Sequence, residues 1–381
     1  MKITDVEVLT VPDRGDSMML VVVDTDDGVH GLGEVGIRTR QEAVRGALVH
    51  LREVLVGQDA TRIEHLWQVM TRSGFFPGDR ILNAAVGAVD VALWDIQGKA
   101  LGVPVYRLLG GKVRDWVPCY AHVPGEDGPL EAFADACREL AEQGWQYLRF
   151  AVPTPDTPVV QPRQSVRAAV ERFSAARDAV GNDVELLVDV HTRLDPPDAL
   201  LLCRELEDAR PFFVEDPLRA ESPESYRRLR AGTAVPLAAG EQFGNKWEFR
   251  TLIDEDLIDF VRPDLGIVGG ITEARKIAGW AEAHFIRTAT HNPLGPVMTA
   301  ACTHFNTACA AFGIQEQYDH GPRPDLDRVF TGRPEVEGGR AVPAEVPGLG
   351  VDIDLPSARA LTARALERPH LRRPDRSFTN W

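Results

Sequence analysis

Six ionisable residues stand at the ends of short apolar runs with a nearly constant period. Asp189, Glu215 and Glu241 lie in VELLVDV, PFFVED and VPLAAGE, 26 residues apart. The series continues through Asp264 in FVRPD, His291 after IRTAT and Glu316 in GIQEQ, at gaps of 23, 27 and 25 residues. Such a period is one strand plus one helix of a parallel α/β fold. Ionisable groups at the carboxyl ends of consecutive strands converge on one mouth, and in a (β/α)₈ barrel that mouth is where active sites lie.

The alternation begins near residue 117. VPCYAHV precedes the amphipathic LEAFADACRELAEQG, and YLRFA precedes PRQSVRAAVERFSAARDAVG. With the six runs above this predicts eight strands. Near-continuous apolar strands between helices indicate a parallel sheet buried on both faces, and eight units favour closure into a barrel. An open doubly wound sheet would carry G-x-G-x-x-G after its first strand. The similar GIVGGITEAR at 266–275 follows the sixth strand instead and reads as a tight turn into a helix capped by Thr272.

Residues 1–116 follow another plan. ITDVEVLTV, MMLVVVDTDD and VHGLGEVG are three β-rich runs, with a hairpin signal at Asp27-Gly28. Helices are expected near 40–56, 60–72 and 80–101; in the last, Val86, Val89, Leu93 and Ile96 recur at helical spacing. The expected division is an α+β domain at 1–116, a barrel at 117–325 and a Pro-, Gly- and Arg-rich tail at 326–381. The tail has one late helix, SARALTARALE, and is expected to pack back on the first domain. Segments 12–17 and 73–80 are candidate lids, and the Pro-rich VPTPDTPVVQP after the second barrel strand is placed to shape the mouth.

Composition narrows the function. A net charge of −15 argues against nucleic acid as the main partner. Five cysteines form no CxxC pair, which reads as buried thiols in a reducing compartment. The N-terminus reads as a strand rather than a signal peptide. No apolar run approaches the ~20 residues of a membrane span. A soluble, cytoplasmic protein is expected. Only five of the 42 basic residues are lysine, so a lysine base has few candidate positions.

Any one acid after a strand can be a helix cap or a solvated loop residue. Three at matched spacing form a candidate metal site. A mixed Asp/Glu set without cysteine suits Mg²⁺ rather than zinc. His191 lies two residues past Asp189, on the same side of a strand by period-two alternation. Asp264 and His291 end adjacent strands, where the carboxylate can orient the imidazole and favour its protonated form, making it a better base. Glu316 is a candidate acid or hydrogen-bond partner. His122 at the end of the first barrel strand is placed to touch substrate. This set suits removal of a proton α to a carboxylate, with a cation stabilising the enediolate. A hydroxyl on the next carbon can then leave with a proton from a second acid.

The pattern resembles the enolase superfamily, in its mandelate racemase subgroup, and more narrowly its sugar-acid dehydratases. AVDVALWDIQGKALGVPVYRLLGG (88–111), DVHTRLDP (189–196), EDP (215–217), GEQF (241–244), RPDLGIVGGITEARKIA (262–278), HNPLGP (291–296) and IQEQ (314–317) carry the resemblance. It implies a modified (β/α)₈-type barrel, lacking one regular β/α unit pair, under an α+β capping domain completed by the tail. It assigns Mg²⁺ to Asp189, Glu215 and Glu241, and the α-proton to His291 with Asp264. It assigns departure of the β-hydroxyl to His191, as in dehydratases related to galactonate dehydratase, and the substrate carboxylate or enolate to Glu316. His122, Glu316 and Arg149 are the substrate-binding candidates.

Many members carry Lys-x-Lys on the second strand; YLRFA has Arg149 and Ala151 there, which disfavours a lysine-based racemase. YLRF is closer to the mannonate dehydratase branch, although 152–164 lacks that branch's tyrosine. The expectation is a Mg²⁺-dependent dehydratase of an aldonate such as galactonate, gluconate or mannonate, giving a 2-keto-3-deoxy acid, in a homo-oligomer. Two alternatives share the scaffold: a racemase or epimerase of an α-hydroxy acid, and a catalytically silent metal-binding relative.

Overall fold

The chain opens with three antiparallel strands, β1 (Ile3–Asp13), β2 (Asp16–Thr25) and β3 (His30–Glu34). The structure is a computed structural model, and it describes residues 1–153, 159–318, 321–361, 363 and 370–379. β2 is the middle strand, and its MMLVVV run is wholly buried because both faces are covered. Met19, Val21 and Val23 pack with the first domain's helices, whereas Met18, Leu20 and Val22 join the larger core that includes the barrel and tail. Period-two alternation thus splits one apolar run between two cores. The hairpin after β2 falls at the expected place, with Gly28 at φ 76°.

Three helices follow: α1 (Gln41–Leu55), α2 (Ile63–Arg72) and α3 (Arg80–Leu101), with the short α4 (Val105–Leu108) after them. The glycines of β3 explain the closeness of α3. A Cβ on Gly31 or Gly33 would collide with the carbonyl oxygens of Ala92 and Ala88. Gly87, elsewhere on α3, is also close to the backbone of the barrel segment 265–270, where a Cβ would lie 2.7 Å from the Leu265 carbonyl oxygen.

The barrel strands are β4 (Val117–His122), β5 (Tyr147–Ala151), β6 (Glu185–Asp189), β7 (Phe213–Glu215), β8 (Leu237–Ala239), β9 (Phe260–Val261), β10 (Arg287–Thr290) and β11 (Phe312–Gln317). They are parallel and in sequence order, and β11 pairs with β4 to close the barrel. Helices α5 (Leu130–Glu142), α6 (Pro162–Val180), α7 (Pro196–Leu206), α8 (Ser225–Arg230), α9 (Arg250–Asp254), α10 (Gly270–Ala283) and α11 (Pro296–Ala308) lie between them. No strand is missing. The irregularity is in the helices: α8 and α9 are short, and among the described residues none follows β11 before the tail.

Inside the barrel, Tyr120, Leu187, Phe213, Ala238, Phe260, Ala289 and Ile314 form one apolar layer, with Tyr147 against it. Two residues further along the strands stand His122, Arg149, Asp189, Glu215, Arg262, His291 and Glu316. Side chains two apart share a strand face. The hydrophobic layer is therefore the floor on which the polar layer rests.

The tail divides its contacts. Its helix at Leu355–Ala360 packs on β1, and Arg359 pairs with Glu7 at 2.6 Å. The hairpin Val336–Glu337 and Arg340–Ala341 extends the barrel sheet beside β4. Residues near 372 bond to Val160 after β5. The tail therefore reaches the barrel as well as the first domain. The rest of the expected late helix lies largely outside the described residues. Among those residues no helix is long and apolar enough to cross a membrane.

The turn into α10 is as expected, but its cap is not. Thr272 lies inside the helix, whose N-cap is Gly269 at φ 101°. The Thr272 N–H instead donates to Asp90 Oδ2 of α3 at 3.0 Å, and its hydroxyl accepts from Trp94 Nε1 at 3.0 Å.

Candidate active site

Strand ends place the three acids together. Asp189 and Glu215 are register partners on β6 and β7, and Glu241 follows β8 after Gly240, whose φ of 129° turns the chain inward. One oxygen from each of the three lies within 4.8 Å of the others. Burial pushes the Glu215 carboxyl well up, with Asp189, Glu241 and Glu316 adding repulsion that Arg262 only partly offsets. Burial also raises Glu241, to about 7, despite His291 nearby. Glu215 Oε2 is buried with no hydrogen-bond partner.

Five carboxylates (Asp189, Glu215, Glu241, Asp264 and Glu316) face two guanidinium groups, Arg149 and Arg262. A divalent cation fits this set: the surplus is negative, the donors are hard oxygens, and one buried oxygen awaits a partner.

His291 follows β10, and its Nδ1 is 2.7 Å from Asp264 Oδ2. Its Nε2 faces inward, 3.5 Å from Glu241 and 3.9 Å from Glu316. Burial opposes its charge, but the Glu241, Glu316 and Asp264 carboxylates outweigh it and raise the imidazole to about 10.

His191 stands beside Asp189 as expected, but the pleat does not put it there. β6 ends at Asp189, and His191 and Thr192 have φ of 49° and 56°. The chain turns through two consecutive left-handed residues, a conformation costly for side chains with a Cβ. His191 N–H donates to Asp189 Oδ1 at 2.7 Å, which fastens the turn. The imidazole Nε2 is 3.0 Å from both Asp189 Oδ2 and Arg149 Nη2. Burial, with the Arg149 and Arg193 cations, lowers His191 to about 3 despite Asp189.

Arg149 is buried and pairs closely with Asp189. His122 Nε2 is 2.7 Å from Glu316 Oε1. Glu316 Oε2 accepts from Arg262 Nη2 at 2.8 Å and from the Asn292 N–H at 2.9 Å. Burial favours protonating Glu316, yet His291, His122 and Arg262 hold it well below the usual carboxylate range.

Arg262 was not a sequence candidate. It is fully buried, with Nε 2.6 Å from Glu215 Oε1 and Nη2 3.8 Å from Glu241. Alternation along FVRPD could have found it, because Phe260, Arg262 and Asp264 share a parity.

The candidate lids both touch the mouth. Most of 12–17 is strand, and the turn is only Arg14-Gly15 at φ 50° and 80°. Arg14 lies 4.4 Å over the Tyr318 ring, which packs edge-on against His122. Segment 73–80 exposes Phe75 and Phe76, and Arg80 at its end pairs with Glu248 beyond β8 at 2.7 Å. Part of the Pro-rich segment after β5 lies outside the described residues.

Residues 132–358 match the family described as enolase C-terminal domain-like, and residues 7–110 match the mandelate racemase / muconate lactonizing enzyme N-terminal domain. The chain is 41% identical to a D-galactonate dehydratase of Ralstonia nicotianae and 39% identical to one of Pectobacterium atrosepticum, over the full length of both partners. An enolase from Pantoea ananatis, solved with bound D-gluconate and Mg, superposes with a TM-score of 0.92 at 33% identity, covering 100% of this chain and 99% of that one. An enolase from Agrobacterium radiobacter, solved with Na and L-malate, gives 0.90 at 33% identity, with full coverage of both chains.

Proposed function

The chain belongs to the enolase superfamily, with both mandelate racemase / muconate lactonizing enzyme domains, and on that premise we propose that it is a Mg²⁺-dependent sugar-acid dehydratase. The proposed substrates are aldonates of the galactonate, gluconate or mannonate kind, and the product is a 2-keto-3-deoxy acid. The observation that carries this reading is the His291–Asp264 pair, 2.7 Å apart, facing the acid trio with His191 beside Asp189. The galactonate dehydratase relatives and the gluconate-bound neighbour support the substrate class.

In this reading Asp189, Glu215 and Glu241 hold the cation. When bound, it supplies positive charge at the substrate carboxylate and offsets the Glu241 charge that helps keep His291 protonated. His291 Nε2 takes the α-proton, while Asp264 fixes the ring through Nδ1. Glu316 serves as a held anion rather than a proton donor, because His122, Arg262 and Asn292 already direct donors at it. His122 and Arg149 line the substrate's side of the mouth. His191, once charged by proton uptake in the substrate complex, hands that proton to the departing β-hydroxyl.

One observation favours a second reading. His191 is held neutral, which suits a base on the opposite face of the α-carbon and hence an epimerase. Purified protein with Mg²⁺, incubated with a panel of aldonic and aldaric acids, separates the two. Dehydration yields a semicarbazide-reactive keto acid. Epimerisation exchanges the α-proton for deuterium without loss of water. A folded, metal-loaded protein that forms no keto acid from any member of the panel overturns the dehydratase reading.

A further inference from the structure

The loop carrying His291 is gripped from two sides. From the barrel, Asp264 holds His291, and Glu316 accepts from the Asn292 N–H. From the first domain, Glu34 at the end of β3 accepts from the Gly295 N–H at 2.5 Å and the Met298 N–H at 3.1 Å. Glu34 thereby caps α11, and a Cβ at Gly295 would lie only 2.8 Å from its oxygen. Between these grips stands Arg38. Its Nη2 donates to the Pro293 carbonyl at 3.0 Å, two residues past His291.

The same guanidinium reaches the other way. Arg38 Nη1 pairs at 2.6 Å with Asp13, whose other oxygen lies 2.8 Å from Arg323. Asp13 is buried, one residue before the Arg14-Gly15 turn that overhangs Tyr318 and His122. One planar fork therefore spans the root of the hairpin and the base-bearing loop. Arginine suits this task, because its rigid array of donors fixes two partners at once, whereas a lysine ammonium is a single point charge.

We infer that Arg38 is a positioning residue that couples the β1–β2 hairpin to the His291 loop, so that seating a substrate under the hairpin also places the imidazole. The catalytic part of this inference rests on the function proposed above; the mechanical part does not. Arg38 touches neither the reacting atoms nor the acid trio. Its effect reaches the reaction through the backbone at Pro293.

The test uses the full chain with Mg²⁺ and four variants: Arg38→Met, Arg38→Lys, Asp13→Asn and the Asp13→Asn/Arg38→Met double. Arg359→Met, which breaks an exposed contact of the first domain far from the hairpin tip, is the control. Hydrogen exchange is read at 12–17 and 291–298, and kcat and KM are read on whichever acid the panel yields. Arg38→Met is expected to speed exchange in both segments and to lower kcat about tenfold to a hundredfold, the range a misplaced reacting group costs. Arg38→Lys, holding one partner at a time, does not restore kcat. The double variant is no slower than Arg38→Met, because both changes cut one link. Faster exchange at 12–17 alone, additive losses in the double variant, or an equal loss in Arg359→Met overturns the coupling. If the wild type turns over no acid, the proposed function fails, and the exchange arm still decides the coupling.

Discussion

At the scale of the residue, the acids and the dyad were legible because residue type and strand position agreed. One ionisable side chain after an apolar run can be a cap or a solvated loop residue, but six in series at one period have a common cause. Arg262 was less legible because its partners Glu215, Glu241 and Glu316 come from three other strands. His191 reached its place by a left-handed turn that no alternation rule describes. These histidines divide the proposed reaction, and variants divide it too. His291→Asn should abolish both α-deuterium exchange and keto-acid formation, by about 10²–10⁴-fold, the usual worth of a general base. His191→Asn should retain deuterium exchange while losing keto acid by a similar factor. Loss of exchange in His191→Asn, measured by NMR in D₂O, would remove its assignment to the leaving hydroxyl. Arg262→Met should be worse than a lost contact. It leaves Glu215 buried without its paired cation and takes from Glu316 one of the three partners that hold it ionised, at a cost of about 3–5 kcal/mol, seen as a large fall in melting temperature.

At the scale of the element, the three strands, the eight-strand barrel and the long α3 follow from periodicity, which is local. The helix caps do not. α10 is capped by Asp90 and α11 by Glu34, 182 and 261 residues away from the nearest amides they bind. Thr272 was a reasonable local candidate for a cap that a distant carboxylate supplies. Burial raises both carboxyls to about 7, even though backbone N–H groups favour their charge. For Glu34 the consequence for stability has a definite sign. Below pH 4.5 the carboxyl is protonated in the folded and unfolded chain alike. Between 4.5 and about 7 the folded chain keeps a proton that the unfolded chain has lost, so stability falls as pH rises. Above 7 the full difference remains, about 3 kcal/mol by linkage. Glu34→Gln removes this dependence. Because its amide cannot accept from both N–H groups, it should be least stable relative to wild type at pH 4.5 and below, where the wild-type carboxyl has lost nothing. Its deficit should shrink by about that amount near pH 8. A difference in melting temperature that stays constant across this range would show that Glu34 is charged throughout.

At the scale of the whole molecule, the two domains share more than a boundary. β2 gives alternate side chains to two cores, and the first domain supplies Glu34, Asp90 and Asp95 to backbone amides of the barrel and tail. Glu34 and Asp90 take their donors from the barrel, and Asp95, although held within its own domain by Leu32 and Lys99, gives its other oxygen to Leu349; carboxylates that lose such partners when the domains separate cost about 1–3 kcal/mol for each unsatisfied group. The domains are therefore expected to unfold as one cooperative unit. The cation proposed for the trio would make this measurable, because the residues that would hold it lie only on β6, β7 and the turn after β8. If the molecule unfolds as one, Mg²⁺ at a hundredfold its Kd should add about 2.7 kcal/mol to the whole chain. The first domain, which holds no ligand, should gain the same protection as the barrel. Slow hydrogen exchange in Met19–Val23 reports on the first domain, and exchange in Leu186–Val188 reports on the barrel. Both should slow by about a hundredfold with Mg²⁺ and return with chelator, and Glu215→Gln should weaken both responses together. Protection confined to the barrel strands, or two calorimetric transitions of which only one responds to Mg²⁺, would mean that the interface carboxylates join two independently folding bodies.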